Sequence, residues 1–350
     1  MDGIMLSQQV KNGEIYHQED FSNLHCQNQD YSGGVFIEVI FDHCDFSSAN
    51  LSEATFKQCS FISSLFNNSD LKDTNFIDCN LSNTCFDSAN MESTKLIESN
   101  FTSAAITNTH LNSNVFNECC CENMSIKNCT LDTTLFSDCN LTKTDFSKTT
   151  MIKTIFFEDE FKDNLFTEAT INLSYFQKAN LARIDFSETD LNQCQFSECE
   201  LEGCNFNGAQ IKQGGFMQTS LIKCSFDNAN LEAAMFMESD LTGVSLKNAN
   251  LMMANLQKTK LIGADFTNSN MEMANLSEAI ANLSFFVGAN LTDADLSHAT
   301  LYETDFTNAN MFRTKMHETL DAKTIWSGAN KSAAIGTNKQ RLTAELWSKK

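Results

Sequence analysis

A repeat solenoid is the architecture predicted by this 350-residue sequence, and three observations predict it. First, a large apolar residue recurs at every fifth position, as at Leu221, Phe226, Leu231 and Phe236, and a small residue stands two places before each, at Thr219, Cys224, Ala229 and Ala234. Second, the phase of this beat is unbroken from Tyr31 to Met316, through 58 consecutive centres. Third, the chain contains no proline, as expected where nearly every turn backbone must offer its N–H to a neighbour. A period of five fits neither an amphipathic helix nor an alternating strand, so an internal repeat takes precedence.

The pattern small-polar-large-polar-polar, as in Ala229-Asn230-Leu231-Glu232-Ala233 and Ala289-Asn290-Leu291-Thr292-Asp293, resembles the pentapeptide-repeat protein family over residues 21–334. The resemblance implies an all-β fold, a right-handed quadrilateral parallel β-helix. Four pentapeptides make a square coil, with the large centre and the small residue inward and the other three positions outward. At the spacing of hydrogen-bonded strands, about 14–15 coils would stack to roughly 70 Å. Centres ending in 6 are mostly Phe and those ending in 1 mostly Leu, Ile or Met, so two opposite faces would supply Phe to the axis. Burying the 29 Phe and a similar number of aliphatic centres, at about 1.5–3 kcal/mol each, is ample to hold such a stack.

Both ends should be closed, because an open solenoid exposes apolar core and unpaired backbone. Residues 1–20 read as an N-terminal cap, with a helix over Asp2 to Lys11 that places Ile4, Met5 and Val10 on one side and stops at Gly13. Tyr16 and Phe21 already keep the phase loosely. After Met316 the centres lapse to Asp321, Trp326 and Lys331. Residues 335–350 read as a basic C-terminal helix, opened by a capping box at Thr337-Asn338-Lys339-Gln340 and carrying Leu342, Leu346 and Trp347. The helix serves either as a lid or, as the resemblance to members that pair through their C-terminal ends implies, as the contact of a homodimer. Inside the array, Ala281 is too small a centre and Ile280 or Leu283 should swing in. Polar Asp159 and Asn164 occupy small inward sites, and that coil should bulge, because an unpartnered buried carboxylate is costly. The oversized small-site residues Leu24, Val39, Met124 and Ile184 imply local repacking.

The formal charge is −21, and the last 31 residues contribute +4, so the remainder is −25. A body this acidic excludes direct nucleic-acid binding through phosphate neutralisation and suits a basic partner or imitation of a polyanion. No apolar run of about 18 residues indicates a membrane span, and no secretory signal peptide is visible. The expected location is the bacterial cytoplasm, with export open only to a signal-peptide-independent system. Ten of the fourteen cysteines stand on the small-residue position, where they read as free buried thiols in a reducing compartment. Cys119, Cys120 and Cys121 alternate in direction in an extended backbone and should not converge on an ion. The six histidines are scattered. No cofactor, metal or catalytic constellation is recognised, and the chain reads as non-enzymatic.

Residues 20 apart should form surface ladders. Glu38, Asp78, Glu98, Glu118, Asp138, Glu158, Glu198, Glu238, Glu278 and Glu318 share one, and Asp78 to Glu158 fall in consecutive coils. Stacked like charges repel, so the row suggests either a solvated stripe or a polyanionic line for a basic partner. Outward apolar residues accompany it: Val115, Leu135, Ile155 and Tyr175 on one ladder with Phe157, Met217, Met235 and Met237 nearby, and Met252, Met253, Met273 and Phe312 on the adjoining face. Clustered apolar groups beside charge suggest a protein partner. The expected function is a rigid scaffold for protein–protein contact in a bacterial secretion or host-interaction setting. The terminal segments around Gly13-Glu14-Ile15 and Trp326-Ser327-Gly328-Ala329 resemble those of members encoded with type VI secretion components. The alternative is a DNA mimic binding DNA gyrase, as some family members do. At −25 over roughly 70 Å the chain has about one net charge per 2.8 Å, against about one per 1.7 Å for duplex DNA. The loop-bearing gyrase-protecting members interrupt their beat with projecting loops, and this sequence has no such insertion.

Overall fold

The computed structural model describes residues 2–348, and Lys349 and Lys350 of the expected basic terminus lie outside the described residues. The chain divides into two compact units, Met1–Asn180 and Leu181–Lys350. Each is a β-solenoid of parallel strands and bridges in a strict 20-residue register.

The five-residue beat is converted into a coil by one repeated turn. The fifth residue of nearly every pentapeptide adopts a left-handed backbone, with φ of 60° at Asn228, 57° at Ala233 and 61° at Glu238. The following amide closes the turn, as Ala229 N–H donates to the Phe226 carbonyl at 3.0 Å. The remaining amides are also engaged. Phe226 N–H and Asn228 N–H reach carbonyls of the next coil at Ser245 and Lys247, and Asn230 N–H reaches back to Ala209. The fourth position is served by a side chain, as where Asn290 Oδ1 accepts Thr292 N–H at 3.2 Å. With all five N–H groups in use, a proline anywhere in the repeat removes a bond, which accounts for its absence from the composition.

In the first unit the strands Val35–Ile37, Thr55–Lys57 and Asn75–Ile77 pair in register, and each central Phe points inward. Phe36, Phe56 and Phe76 stack at 5.0 and 5.1 Å, and Phe116, Phe136, Phe156 and Phe176 at 4.6, 5.1 and 4.8 Å. These separations follow the spacing between strands. In the second unit Phe196, Phe216 and Phe236 stack at 4.9 and 5.1 Å and meet Phe206 and Phe226 edge-on. Outward asparagines Asn230, Asn250, Asn270, Asn290 and Asn310 form an amide ladder with bonds of 3.0–3.2 Å.

The helix α1 (Gly3–Lys11) closes the start of the first unit. Asp2 caps it by accepting Met5 N–H at 2.9 Å. The buried face is Gly3, Leu6, Ser7 and Val10, so Val10 is buried as expected while Ile4 and Met5 are exposed. Tyr31 fixes this docking by donating to the Gly3 carbonyl at 3.0 Å. Strand Ile15–His17 already pairs with Val35–Ile37, so the first coil begins inside the segment expected to be a cap.

Three irregularities resolve differently from expectation. Asp159 is fully buried without a bulge, because Glu160 keeps register with Asn140 and Asn180 and Asp159 Oδ1 accepts Cys139 N–H at 2.8 Å. Asn164 is bonded to the Leu141 and Thr144 carbonyls. Ala281 is buried while Ile280 and Leu283 remain outward, since swinging either inward would break the bonds from Ile280 N–H to Thr259 and from Leu283 N–H to Tyr302.

Candidate functional site

In the first unit, strands Val115–Asn117, Leu135–Ser137, Ile155–Phe157 and Tyr175–Gln177 lie side by side in register. Inward Phe residues anchor their centres, so the flanking residues must face out. Val115, Leu135, Ile155 and Tyr175 therefore form one outward column, with Ile155 39% and Tyr175 52% exposed. Asn117, Ser137, half-buried Phe157 and Gln177 form the next. The corner residues Glu118, Asp138 and Glu158 follow at once, continuing from Asp78 and Glu98, with φ between 50° and 57°. An apolar column and an acidic column thus border one sheet face.

The acidic column is less one-sided than the sequence reading implied. Gln18 donates to Glu38 at 2.8 Å and Gln58 to Asp78 at 3.1 Å. Lys178 terminates the run, pairing with Glu158 at 2.9 Å and lying 5.5 Å over the Phe157 ring. In the second unit Gln218 donates to Glu238 at 2.9 Å and Lys258 stands 4.0 Å from Glu278. Neutral and basic residues between the acids relieve the repulsion everywhere except from Asp78 to Glu158. That run is the segment of ladder that folding alone does not favour.

Met235, Met237, Met252, Met253 and Met273 belong to the second unit. Met235, Met253 and Met273 are exposed, whereas Met237 and Met252 are half-buried. Met253 and Met273 occupy successive left-handed corners, at φ 61° and 59°.

The C-terminal end presents a further surface. Trp326 stacks on Phe306 at 4.6 Å, Lys331 lies 4.2 Å over the Trp326 ring and pairs with Asp321 at 2.5 Å. The lapsed centres thereby cover the last aromatic column with a polar layer. Helix α2 (Lys339–Ser348) starts with Asn338 as its cap, whose Oδ1 accepts Gln340 and Arg341 N–H at 3.0 Å each. Thr337, expected to cap it, instead accepts Glu318 N–H. Leu342 is half-buried, but Leu346 and Trp347 are exposed, Trp347 at 82%. Leu320, Ile325 and Ile335 are exposed as well. Sequence reasoning named no outward apolar residue between Phe312 and Leu342, and all three stand on outward positions there.

Two side-chain clusters add to the sequence reading. Cys119 and Cys121 both face the interior, because residues two apart in an extended segment share a side, and both thiols meet Cys139. That contact and burial push the Cys119 and Cys121 thiols well above the ordinary range. All fourteen cysteines are free thiols. Among the described residues, His298, His317 and Glu345 bring their ligating atoms within 4.8 Å of one another, although the sequence reads the histidines as scattered.

Inward small and large residues on a five-residue beat, in 20-residue register with a left-handed corner, define a pentapeptide-repeat solenoid. The pentapeptide-repeat family model matches residues 174–213, 216–251, 254–282 and 289–319, and the model of the SV2A/B/C luminal domain matches residues 3–86. Over those stretches of residues 174–319 the chain carries pentapeptide repeats. Among solved structures it is similar to HetL, a pentapeptide-repeat protein involved in heterocyst differentiation regulation from the cyanobacterium Nostoc, at 23% identity over 59% of this chain and 89% of HetL, with a TM-score of 0.25. It is also similar to QnrB1, a plasmid-mediated fluoroquinolone resistance protein, at 18% identity over 71% of this chain and 98% of QnrB1, with a TM-score of 0.24. A mannuronic-acid-specific polysaccharide family 6 lyase from human gut microbiota aligns over 99% of this chain and 92% of the lyase at 8% identity, with a TM-score of 0.32. No curated protein matches the sequence. Among the described residues, no helix is long and apolar enough to cross a membrane.

Proposed function

We propose that the chain is a non-enzymatic scaffold whose first-unit face docks a basic, amphipathic segment of a protein partner. The observation that supports this most is the in-register apolar column Val115, Leu135, Ile155 and Tyr175 beside the uninterrupted acids Asp78 to Glu158. Apolar side chains would supply the desolvated centre of the contact and the carboxylates its charged rim, which steers and orients more than it binds. The setting that accords with this reading is a bacterial secretion or host-interaction system, for which the terminal segments offer a resemblance alone. The test is comparative capture from host lysate. Leu135→Glu/Ile155→Glu should abolish recovery of a partner retained by the wild type, and Glu118→Lys/Asp138→Lys should weaken the same partner with altered salt dependence. Equal recovery by all three proteins would discard this face.

The acidic run also favours a second reading, imitation of duplex DNA toward DNA gyrase. Inhibition of supercoiling by wild type and relief by Glu118→Lys/Asp138→Lys would support it. No effect at micromolar protein would remove it.

The exposed set Leu320, Ile325, Ile335, Leu346 and Trp347 fits a second copy of the chain better than a lid, since the core is already covered at Trp326 and Lys331. Light scattering should show a dimer that Leu346→Lys/Trp347→Lys converts to a monomer with unchanged helix content. A monomeric wild type would leave α2 as a cap only.

A further inference from the structure

We propose that His298, His317 and Glu345 form a binding site for a divalent transition ion of the zinc class, which locks α2 against the last coils of the second unit. The three residues come from two adjacent coils and the helix. His317 is only 3% exposed. Its Nε2 lies 3.2 Å from Glu345 Oε2, and His298 Nε2 lies 3.4 Å from Glu345 Oε1. A tetrahedral shell with bonds of about 2.0–2.1 Å has edges of about 3.3 Å, so both separations suit two imidazoles and a carboxylate sharing one ion.

The site already gathers lone pairs on a cation. Arg341 donates from Nε to Glu345 Oε1 at 2.7 Å, and its Nη2 lies 3.2 Å from His298 Nε2. Since guanidinium has no acceptor, His298 Nε2 presents its lone pair there. The Glu345 carboxylate already accepts from Arg341 and meets His317, so its oxygens face the point where the three side chains converge. Arg341 is half-exposed and can leave toward solvent. A divalent ion of higher charge density would take the place of its guanidinium.

The third ligand requires a proton shift. His317 Nδ1 accepts Asn338 N–H at 3.1 Å, so in the metal-free state the ring proton sits on Nε2 and is donated to Glu345. On metal binding that proton leaves Nε2 and Nδ1 takes one up, so the imidazole stays neutral with no net proton released. Asn338 N–H then turns to water, which its exposed position allows. Ion occupancy is thereby coupled to the start of α2. The inference is independent of the docking face on the first unit.

The test uses the full chain, stripped of metal, titrated with Zn(II) against a chromophoric chelator and with Co(II) as a spectroscopic substitute. One equivalent should bind, and the Co(II) complex should show ligand-field bands of a nitrogen–oxygen site without thiolate charge transfer. Glu345→Gln and His298→Asn should each weaken binding at least about tenfold. Both should keep wild-type helix content without metal, because the introduced carboxamide still accepts hydrogen bonds and His298 is partly exposed. Undiminished binding in both variants, a thiolate charge-transfer band, or no stoichiometric binding by the wild type would each overturn the assignment.

Discussion

Replacing Phe136 with alanine is expected to destabilise the first unit by about 3–5 kcal/mol. Phe136 is stacked between Phe116 at 4.6 Å and Phe156 at 5.1 Å, and Phe146 meets its edge at 6.4 Å. Truncation leaves a ring-sized void that cannot close. The backbone on both sides is fixed in register by Leu135↔Val115 and Leu135↔Ile155, so the coils cannot approach below the strand spacing. Phe136→Leu, which refills most of the volume, should cost much less. Urea unfolding followed by circular dichroism measures both, and hydrogen exchange should place the loss in the coils around residue 136. An unchanged midpoint for the alanine variant would show that the aromatic column is not a principal source of stability.

Replacing Asp159 with serine is expected to stabilise the protein at pH 8 and to have little effect near pH 4. Burial, the largest cause, and the neighbouring Cys139 push the Asp159 carboxyl well above its ordinary value. The folded state therefore keeps a proton that the unfolded chain releases above about pH 3.9. Stability is fully present below that pH and falls as pH rises toward the folded value, by at most about 1.4 kcal/mol per pH unit. Serine suits the site because Ser99, three coils earlier on the same position, accepts Cys79 N–H at 3.0 Å and donates to the Ile97 carbonyl at 2.8 Å. Asp159 accepts the equivalent Cys139 N–H, but its Oδ2 has no hydrogen-bond partner. The gain at pH 8 should be about 1–3 kcal/mol. It is read from urea midpoints across pH, and parallel profiles for the two proteins would contradict the buried-carboxylate account.

The interior was legible in the sequence because one rule generates it. Phe36, Phe56 and Phe76 point inward for the same reason that Leu221 and Leu231 do. The surface columns were legible too, since Val115, Leu135 and Ile155 follow once the coil length is known. What escaped were features set by contacts between unlike elements. The buried side of α1 depends on where Tyr31 meets Gly3 and not on which helical residues are most apolar. His298, His317 and Glu345 are brought together by the docking of α2, and no spacing in the chain announces it. The contact of Cys121 with Cys139 was not drawn, although the alternation that turns Cys119 inward turns Cys121 inward as well. The expected bulge at Asp159 failed because one amide bond and its raised proton affinity make the carboxyl tolerable in place.

The core repeats every five residues, but the outer columns repeat every 20, as Val115, Leu135, Ile155 and Tyr175 show. Length changes in this chain are therefore of two kinds. Loss of a whole coil preserves both periods and merely shortens a column by one member. Loss of a single pentapeptide leaves every later centre inward yet rotates the rest of the unit by a quarter turn, sending an apolar column on to a face lined by other residues. Gene-level duplication and deletion can thus keep the molecule folded while reshuffling what it displays. A lineage that must conserve a long, straight recognition surface is confined to changes in multiples of four repeats.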